Sequence, residues 1–277
     1  MPPGPLPTAI PFVRHDARRG MVWLRRAYAM FRAAPLPWLL LLVTYSLIVG
    51  FAELGPWPAV GKLAASVLKP VFAVGFLAAA WAQERGGRPA FADLFRGFRS
   101  NLWALLPLGV VFFVGMTLAV SATSLVDGGA LIAWFSGGEK PGEELQRSGR
   151  LQLAFLFGFA CALPTLLACW LAPALVVFHD AGTLSALWTS LRAAVANWRP
   201  VSVFGLAALF YGGALPLAGA ALAGLLGESV GPIVAVGLVF PYMLVFVATF
   251  QIADYVAYRD VFHADEPPSS IPLPTGD

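Results

Sequence analysis

The chain has 277 residues, of which 58% are hydrophobic and 12% are charged, and its formal net charge is +3. Soluble domains carry about 25% charged and about 45–50% apolar residues, so a soluble fold of this length could not cover so much apolar surface. The composition therefore excludes a cytosolic enzyme, a disordered chain and a nucleic-acid reader. It predicts an integral membrane protein.

Six apolar runs are long enough to cross a bilayer, which takes about 20 helical residues. They cover residues 36–54, 63–83, 102–123, 152–177, 201–226 and 233–257. Because the runs are continuous, whereas membrane β-strands would alternate polar and apolar residues, they predict an all-α fold. The membrane domain is predicted at 18–262, and the Pro-rich flanks 1–17 and 263–277 are predicted to be disordered.

Basic residues are distributed unevenly between the two sides of the predicted domain. Thirteen arginines lie before the first span, between spans two and three, between spans four and five, and after span six. The opposite side and the flanks of spans one and two carry five basic residues, including all three lysines. Since short cytoplasmic loops are enriched in Lys and Arg, both termini are predicted to be cytoplasmic.

Three segments on the arginine-rich side share one pattern, at residues 21–38, 91–103 and 183–198. Each has apolar residues at helical spacing, then an arginine, then a tryptophan, and each precedes a pair of spans. The pattern predicts three transmembrane hairpins, each preceded by an amphipathic helix in the cytoplasmic interface. Arginine and tryptophan at cytoplasmic ends are also common in unrelated membrane proteins, which is the alternative to an internal repeat.

The repeat assigns two sets of interfacial residues. The arginines predicted to face phospholipid are Arg25, Arg26, Arg32, Arg96, Arg99 and Arg192. The predicted tryptophan anchors at headgroup depth are Trp23, Trp38, Trp103 and Trp198. The partners that follow from these assignments are the anionic headgroups of membrane lipids.

Four polar residues lie within or at the end of predicted spans: Glu53, Lys69, Gln251 and Asp254. Ionisable residues in a membrane often mark functional sites. Glu53 and Lys69 could pair and line a polar cavity, or Lys69 could extend to the headgroups. Gln251 and Asp254 share one face of span six, and Asp254 could pair with Arg259 or Arg192 as a structural contact or an ion site.

Several stretches carry a likeness to a known family: GMVWLRRAYAMFRAAP, FADLFRGFRSN, SLVDGGAL, WLAPALVVFHD followed by ALWTSLRAAVANW, and YVAYRDVF. Over residues 18–262 the chain resembles an uncharacterised family of bacterial six-helix inner-membrane proteins. That family is distantly like the membrane domain found beside some glycerophosphodiester phosphodiesterases. The resemblance implies an inner-membrane location and no known reaction, and the sequence contains no phosphodiesterase domain.

The sequence contains no P-loop, no nucleophile elbow, no HExxH motif and no metal-ligand spacing of histidines. We therefore expect no enzymatic activity, no catalytic residues, no metal and no cofactor. The expected function is that of an accessory or interaction subunit, or of an envelope-organising protein, with other membrane proteins as further partners. The alternative is a small-molecule or lipid transporter that uses polar groups within the bundle. No nucleic-acid partner is expected, and the sequence does not predict the oligomeric state.

Overall fold

The computed structural model describes residues 10–136, 138, 140–227, 229–264 and 266–267. These residues are mainly helical and contain no strand. Within them, six helical stretches are long and apolar enough to cross a membrane: Pro35–Leu54, Ala59–Glu84, Leu102–Asp127, Arg150–His179, Trp198–Gly224 and Gly231–Phe262. The prediction of an all-α membrane protein with six spans is confirmed.

Several spans are built from more than one helix. In chain order the α-helices of the described residues are α1 (Arg19–Ala33), α2 (Pro35–Leu54), α3 (Pro58–Glu84), α4 (Leu102–Ala122), α5 (Ser124–Asp127), α6 (Ala130–Phe135), α7 (Glu143–Arg147), α8 (Arg150–Trp170), α9 (Ala172–His179), α10 (Thr183–Ala196), α11 (Trp198–Leu209), α12 (Leu215–Gly224), α13 (Gly231–Val234) and α14 (Phe240–Phe262). A 3₁₀ helix forms at Phe91–Arg99. Two π-helical segments, Phe210–Ala214 and Ala235–Val239, interrupt spans five and six.

Local sequence determines where the helices begin. Proline occupies the first turn of α2, α3 and α9, where its missing N–H leaves no helical hydrogen bond unmade. The side chain of Asn101 accepts a hydrogen bond of 3.2 Å from the backbone N–H of Ala104 and so caps α4. At the break between α8 and α9, the Ser190 hydroxyl accepts from the Leu171 N–H and donates to the Leu167 carbonyl, which satisfies backbone groups freed by the break.

The buried core lies at one end of the bundle. It includes the first turns of α2 and α4, the last turns of α3, all of α9 and the second half of α14. The core thus lies where spans one, three and five begin and where spans two, four and six end. We call this end of the bundle the arginine-rich end, because the termini and loops beside it carry the thirteen arginines counted in the sequence.

A shorter helix precedes spans one, three and five. Helix α1 packs against α11 and α14, the 3₁₀ helix packs against α3, and α10 packs against α8 and α9. The approach to α3 is so close that a Cβ atom added to Gly97 would lie 2.0 Å from the carbonyl oxygen of Val71. These three helices are thus part of the packed core at the arginine-rich end.

The segment before α1 also packs on this core. The Val13 N–H donates a 2.8 Å hydrogen bond to the Val261 carbonyl, and the Asn197 amide donates to the Val13 carbonyl at 3.0 Å. The Phe12 ring meets the Phe262 ring edge to face. Residues 10–17, for which disorder was predicted, are therefore ordered, because their apolar side chains and backbone find partners on α14 and at Asn197. Residues 1–9 and most of 263–277, also predicted to be disordered, lie outside the described residues.

Candidate functional site

A buried carboxylate joins the two ends of the described chain. The Asp260 side chain is 4% exposed, and it accepts hydrogen bonds of 2.8 Å from Arg19 Nε, Arg19 Nη2 and Trp23 Nε1. The His15 Nε2 atom lies 2.9 Å from the Asp260 carbonyl oxygen. We call Asp260, Arg19, Trp23 and His15 the Asp260 clamp. It ties α1 and the segment before it to the last turn of α14.

In the clamp, the positive charge of Arg19 neutralises the negative charge of Asp260. Arg19 binds both carboxylate oxygens of Asp260 in the bidentate arrangement that suits a guanidinium. Its hydrogen bond to Asp260 raises the pKa of Arg19 above its ordinary value, so the side chain stays a cation. This pair could not be predicted from the sequence, since 241 positions separate its members and no local pattern connects them.

A second polar network joins the end of α3 to α2 and α14. The Tyr255 hydroxyl donates to Glu84 Oε2 at 2.5 Å, and Arg259 Nε lies 3.4 Å from the same oxygen. Next to it, Gln83 Oε1 accepts from Trp38 Nε1 at 2.8 Å, and Gln83 Nε2 donates to the carbonyl of Met30 at 2.8 Å. The side chains of Gln83 and Glu84, in the last turn of α3, therefore hold the neighbouring helices in place.

The second network lines a cavity of about 870 Å³ at the arginine-rich end. Its walls come from the second half of α1, the first turn of α2, the turn after α3 and the last turns of α14. Its charged lining consists of Arg26, Arg88, Arg259 and Glu84. An apolar groove of about 450 Å³ adjoins the cavity and shares Leu36 and Pro37 with it.

The predicted intramembrane polar residues are arranged differently from the prediction. Lys69 forms no ion pair with Glu53 within the described residues; its Nζ lies 4.3 Å from the centre of the Phe112 ring. Asp254 accepts a 2.7 Å hydrogen bond from Trp170 Nε1 and pairs with neither Arg259 nor Arg192. The structure therefore gives no support to a pair of Glu53 and Lys69, which is one of the two alternatives for Lys69, and it places the Lys69 ammonium against an aromatic ring.

Gln251, also predicted as an intramembrane polar residue, is half-buried on α14, one turn before Asp254.

The four predicted tryptophan anchors divide into two groups. Trp103 and Trp198 are exposed, Trp103 to 91% of its surface. Trp23 and Trp38 are completely buried, so the prediction that they are interfacial anchors is wrong for these two. Their indole N–H groups find acceptors inside the protein, on Asp260 and Gln83, which removes the need for a wet interface.

The predicted lipid-facing arginines all lie at the arginine-rich end. Five of them are exposed: Arg25, Arg26, Arg32, Arg99 and Arg192. Arg96 is half-buried, and its Nη1 lies 3.9 Å from Asp93 Oδ1. Of the set, Arg26 alone lines the 870 Å³ cavity, whereas Arg88 and Arg259, which also line it, were not among the predicted residues.

No group of three or more His, Cys, Asp or Glu side chains that could hold a metal ion occurs within the described ranges.

Compared with curated proteins, the chain is similar to a probable inner membrane protein of Burkholderia thailandensis. The two are 32% identical over 260 residues, which cover 91% of this chain and 94% of that protein. No protein-family model matches the chain, and no solved structure matches it at a significant level. The similarity supports the inner-membrane part of the resemblance, and the link to the phosphodiesterase-associated domain stays a prediction.

Proposed function

The chain belongs to the same family as the probable inner membrane protein of Burkholderia thailandensis, and on that premise we propose that this multi-pass protein acts without catalysis, by binding another membrane protein. It would serve as an accessory subunit or as an organiser of the envelope. In this proposal both termini and the arginine-rich end face the cytoplasm, in keeping with the positive-inside rule.

The observation that carries the proposal is the uneven packing of spans five and six. Away from the arginine-rich end, these two spans pack mainly against each other. Neither π-helical segment has a buried residue, and Ala223 is the one buried residue of α12. Apolar side chains of this helical pair are exposed, Leu217 to 71% of its surface. A contact face of this kind suits another transmembrane helix.

Small residues strengthen this argument. A Cβ atom added to Gly213, Gly224 or Gly237 would meet nothing within 4 Å, so each backbone is accessible from outside. Small residues on a membrane helix allow a second helix to approach closely, where van der Waals packing stabilises the pair. The Tyr242 hydroxyl donates a 2.6 Å hydrogen bond to the Tyr211 carbonyl and so joins spans five and six across the π-helical segments. The pair would therefore present one preformed surface.

Photo-crosslinking in intact cells tests the proposal. A photoreactive amino acid at Leu217 is expected to give a protein adduct of one defined mass. The matched control is Leu156 on α8, which is exposed to 67% of its surface and is expected to react with lipid alone. Lipid adducts alone at both positions would refute the interaction function.

The orientation is tested separately with reporter fusions. A periplasmic reporter fused after residue 90 is expected to be inactive, because that turn lies at the arginine-rich end. An active periplasmic reporter there would overturn the proposed orientation.

A transporter is the second candidate, and two ionisable side chains within the spans favour it: Lys69 beside the Phe112 ring and Asp254 hydrogen-bonded to Trp170. Ionisable groups within spans can line a path for a substrate or a proton. The test is a Lys69→Leu variant, examined for thermal stability and for complementation of a deletion strain. Loss of complementation at full stability is expected for a transporter, and an unchanged phenotype at full stability would count against it.

A further inference from the structure

We propose that the cavity at the arginine-rich end is a binding site for one anionic phospholipid, with the phosphate beside Arg26 and Arg88 and an acyl chain in the adjoining apolar groove. The site is independent of the protein partner proposed above, so either proposal can fail without the other.

The cavity has an excess of positive charge. It is lined by three arginines and one carboxylate, Glu84. Glu84 is already engaged by Arg259, whose guanidinium also donates to the carbonyl oxygens of His263 and Glu266. Arg26 is 57% exposed, and the nearest carboxylate oxygen to it is 4.0 Å away, on an Asp260 that already binds Arg19 in bidentate fashion.

Arg88 is the second cation of the cavity that has no neutralising partner in the part of the chain that the structure describes. It is exposed, and it forms no ion pair with any described residue. The cavity therefore presents two cations, Arg26 and Arg88, whose charge the surrounding residues do not neutralise.

Arginine is well matched to a phosphate ligand. Its planar guanidinium can give two parallel hydrogen bonds to phosphate oxygens, and basic pockets between membrane helices bind lipid headgroups. Arg26 lies on α1 and Arg88 on the turn after α3, so two separate elements each supply an arginine to the cavity. A phosphate in the cavity would be bound by both guanidinium groups.

The cavity wall is fixed in position before any ligand binds. Trp38 and Met30 are linked through the Gln83 side chain by two hydrogen bonds of 2.8 Å. The Tyr255–Glu84 bond holds the facing wall, where α3 meets α14. A preorganised site loses less conformational entropy on binding, which favours affinity.

The apolar lining of the adjoining groove distinguishes a phospholipid from a free phosphate compound. It is lined by Leu36, Pro37, Leu40, Pro89 and Phe91 alone, and it contains no polar side chain. Leu36, Leu40 and Phe91 are exposed, and in a membrane their exposed surface faces hydrocarbon. The cavity lies where span one begins and span two ends, which is the depth of headgroup phosphates. A free phosphate compound would leave this groove unused, whereas a phospholipid fills both parts.

The test is native mass spectrometry of the purified full-length protein, titrated with phosphatidylglycerol in mild detergent. One lipid per chain is expected to bind more tightly than phosphatidylcholine. The double variant Arg26→Gln/Arg88→Gln is expected to weaken phosphatidylglycerol binding by about tenfold or more, because it removes charge-assisted hydrogen bonds. The matched control is Arg25→Gln/Arg192→Gln, which loses the same charge from exposed positions at the same end but outside the cavity.

The outcomes separate the sources of phosphate and the modes of binding. Retained binding in the control variant supports the site, whereas equal weakening in both variants would show general surface attraction and overturn it. Displacement of the lipid by millimolar inorganic phosphate would identify a free phosphate compound as the ligand and would overturn the lipid assignment. An Arg88→Lys variant, which keeps the charge, is expected to retain part of the affinity. Equal affinity for phosphatidylcholine would also refute the proposal.

Discussion

Replacement of Asp260 by Asn tests how much the clamp contributes to stability. The substitution keeps the shape of the side chain but removes its charge and replaces one acceptor oxygen by a donor NH₂ group. In the structure Oδ2 accepts from both Arg19 Nε and Trp23 Nε1, and Oδ1 accepts from Arg19 Nη2. The asparagine oxygen can take the place of one of these two atoms. Its amide nitrogen then faces a donor at 2.8 Å, and at least one hydrogen bond is lost.

The magnitude follows from the burial of the two partners. Removal of one partner of a fully buried ion pair costs about 3–5 kcal/mol, because an uncompensated charge remains. Arg19 is partly exposed and can turn toward water, so this figure has to be reduced. We expect Asp260→Asn to lower the free energy of unfolding by about 2–3 kcal/mol. For a protein of this size that corresponds to a fall of about 5–10 °C in the unfolding midpoint.

The assay is thermal unfolding of the purified protein in one detergent, followed by circular dichroism. The matched control is Glu143→Gln, which breaks an exposed ion pair with Arg147 of similarly short distance, 2.7 Å. An exposed pair contributes about 0–1 kcal/mol, so the control is expected to unfold close to the parent protein. If Asp260→Asn shifts the midpoint no more than Glu143→Gln does, the clamp does not stabilise the fold and the reasoning is wrong.

Two further substitutions, each with its own control, examine the packing at the same end in the same assay. Gly97→Ala is expected to destabilise the protein by about 1–3 kcal/mol, because the new methyl group would overlap a backbone carbonyl of α3. Gly205→Ala, where nothing lies within 4 Å, should be neutral or slightly stabilising, and equal effects would contradict the close crossing. Trp38→Phe is expected to cost about 1–2 kcal/mol, since it leaves the Gln83 oxygen without its donor. Trp103→Phe, at an exposed position, should change stability by less than about 0.5 kcal/mol, and an equal loss would refute this.

The membrane spans could be predicted because their signal is local. A run of about 20 apolar residues is enough to identify a spanning helix, whatever the rest of the chain does. The predicted second span, 63–83, corresponds to the observed Ala59–Glu84, and the predicted fifth, 201–226, to Trp198–Gly224. The differences lie at the ends: polar residues extend both helices beyond the predicted start, whereas the fifth span ends at Gly224, two residues before the predicted end.

The polar contacts could not be predicted because they join distant parts of the chain. Trp38 follows the same sequence pattern as Trp103, yet Trp38 is buried and Trp103 is exposed. What distinguishes Trp38 is the element opposite it, since α3 brings Gln83 to its indole N–H. Trp23, also predicted as an anchor, is buried because α14 brings Asp260 to it. The same applies to Asp254, whose neighbour Trp170 is 84 positions away.

The polar networks and the loose helical pair lie at opposite ends of the molecule, and together they suggest a division of roles. The Asp260 clamp, together with the contacts of Glu84 with Tyr255 and Arg259, holds α1, α3 and α14 together at the arginine-rich end. Because α14 is fixed there, the far half of spans five and six has one anchored end and few contacts with the other spans. A helical pair held at one end can present its other end to a partner without disturbing the core. The arrangement therefore favours a protein whose charged end is rigid and whose far end is available for binding.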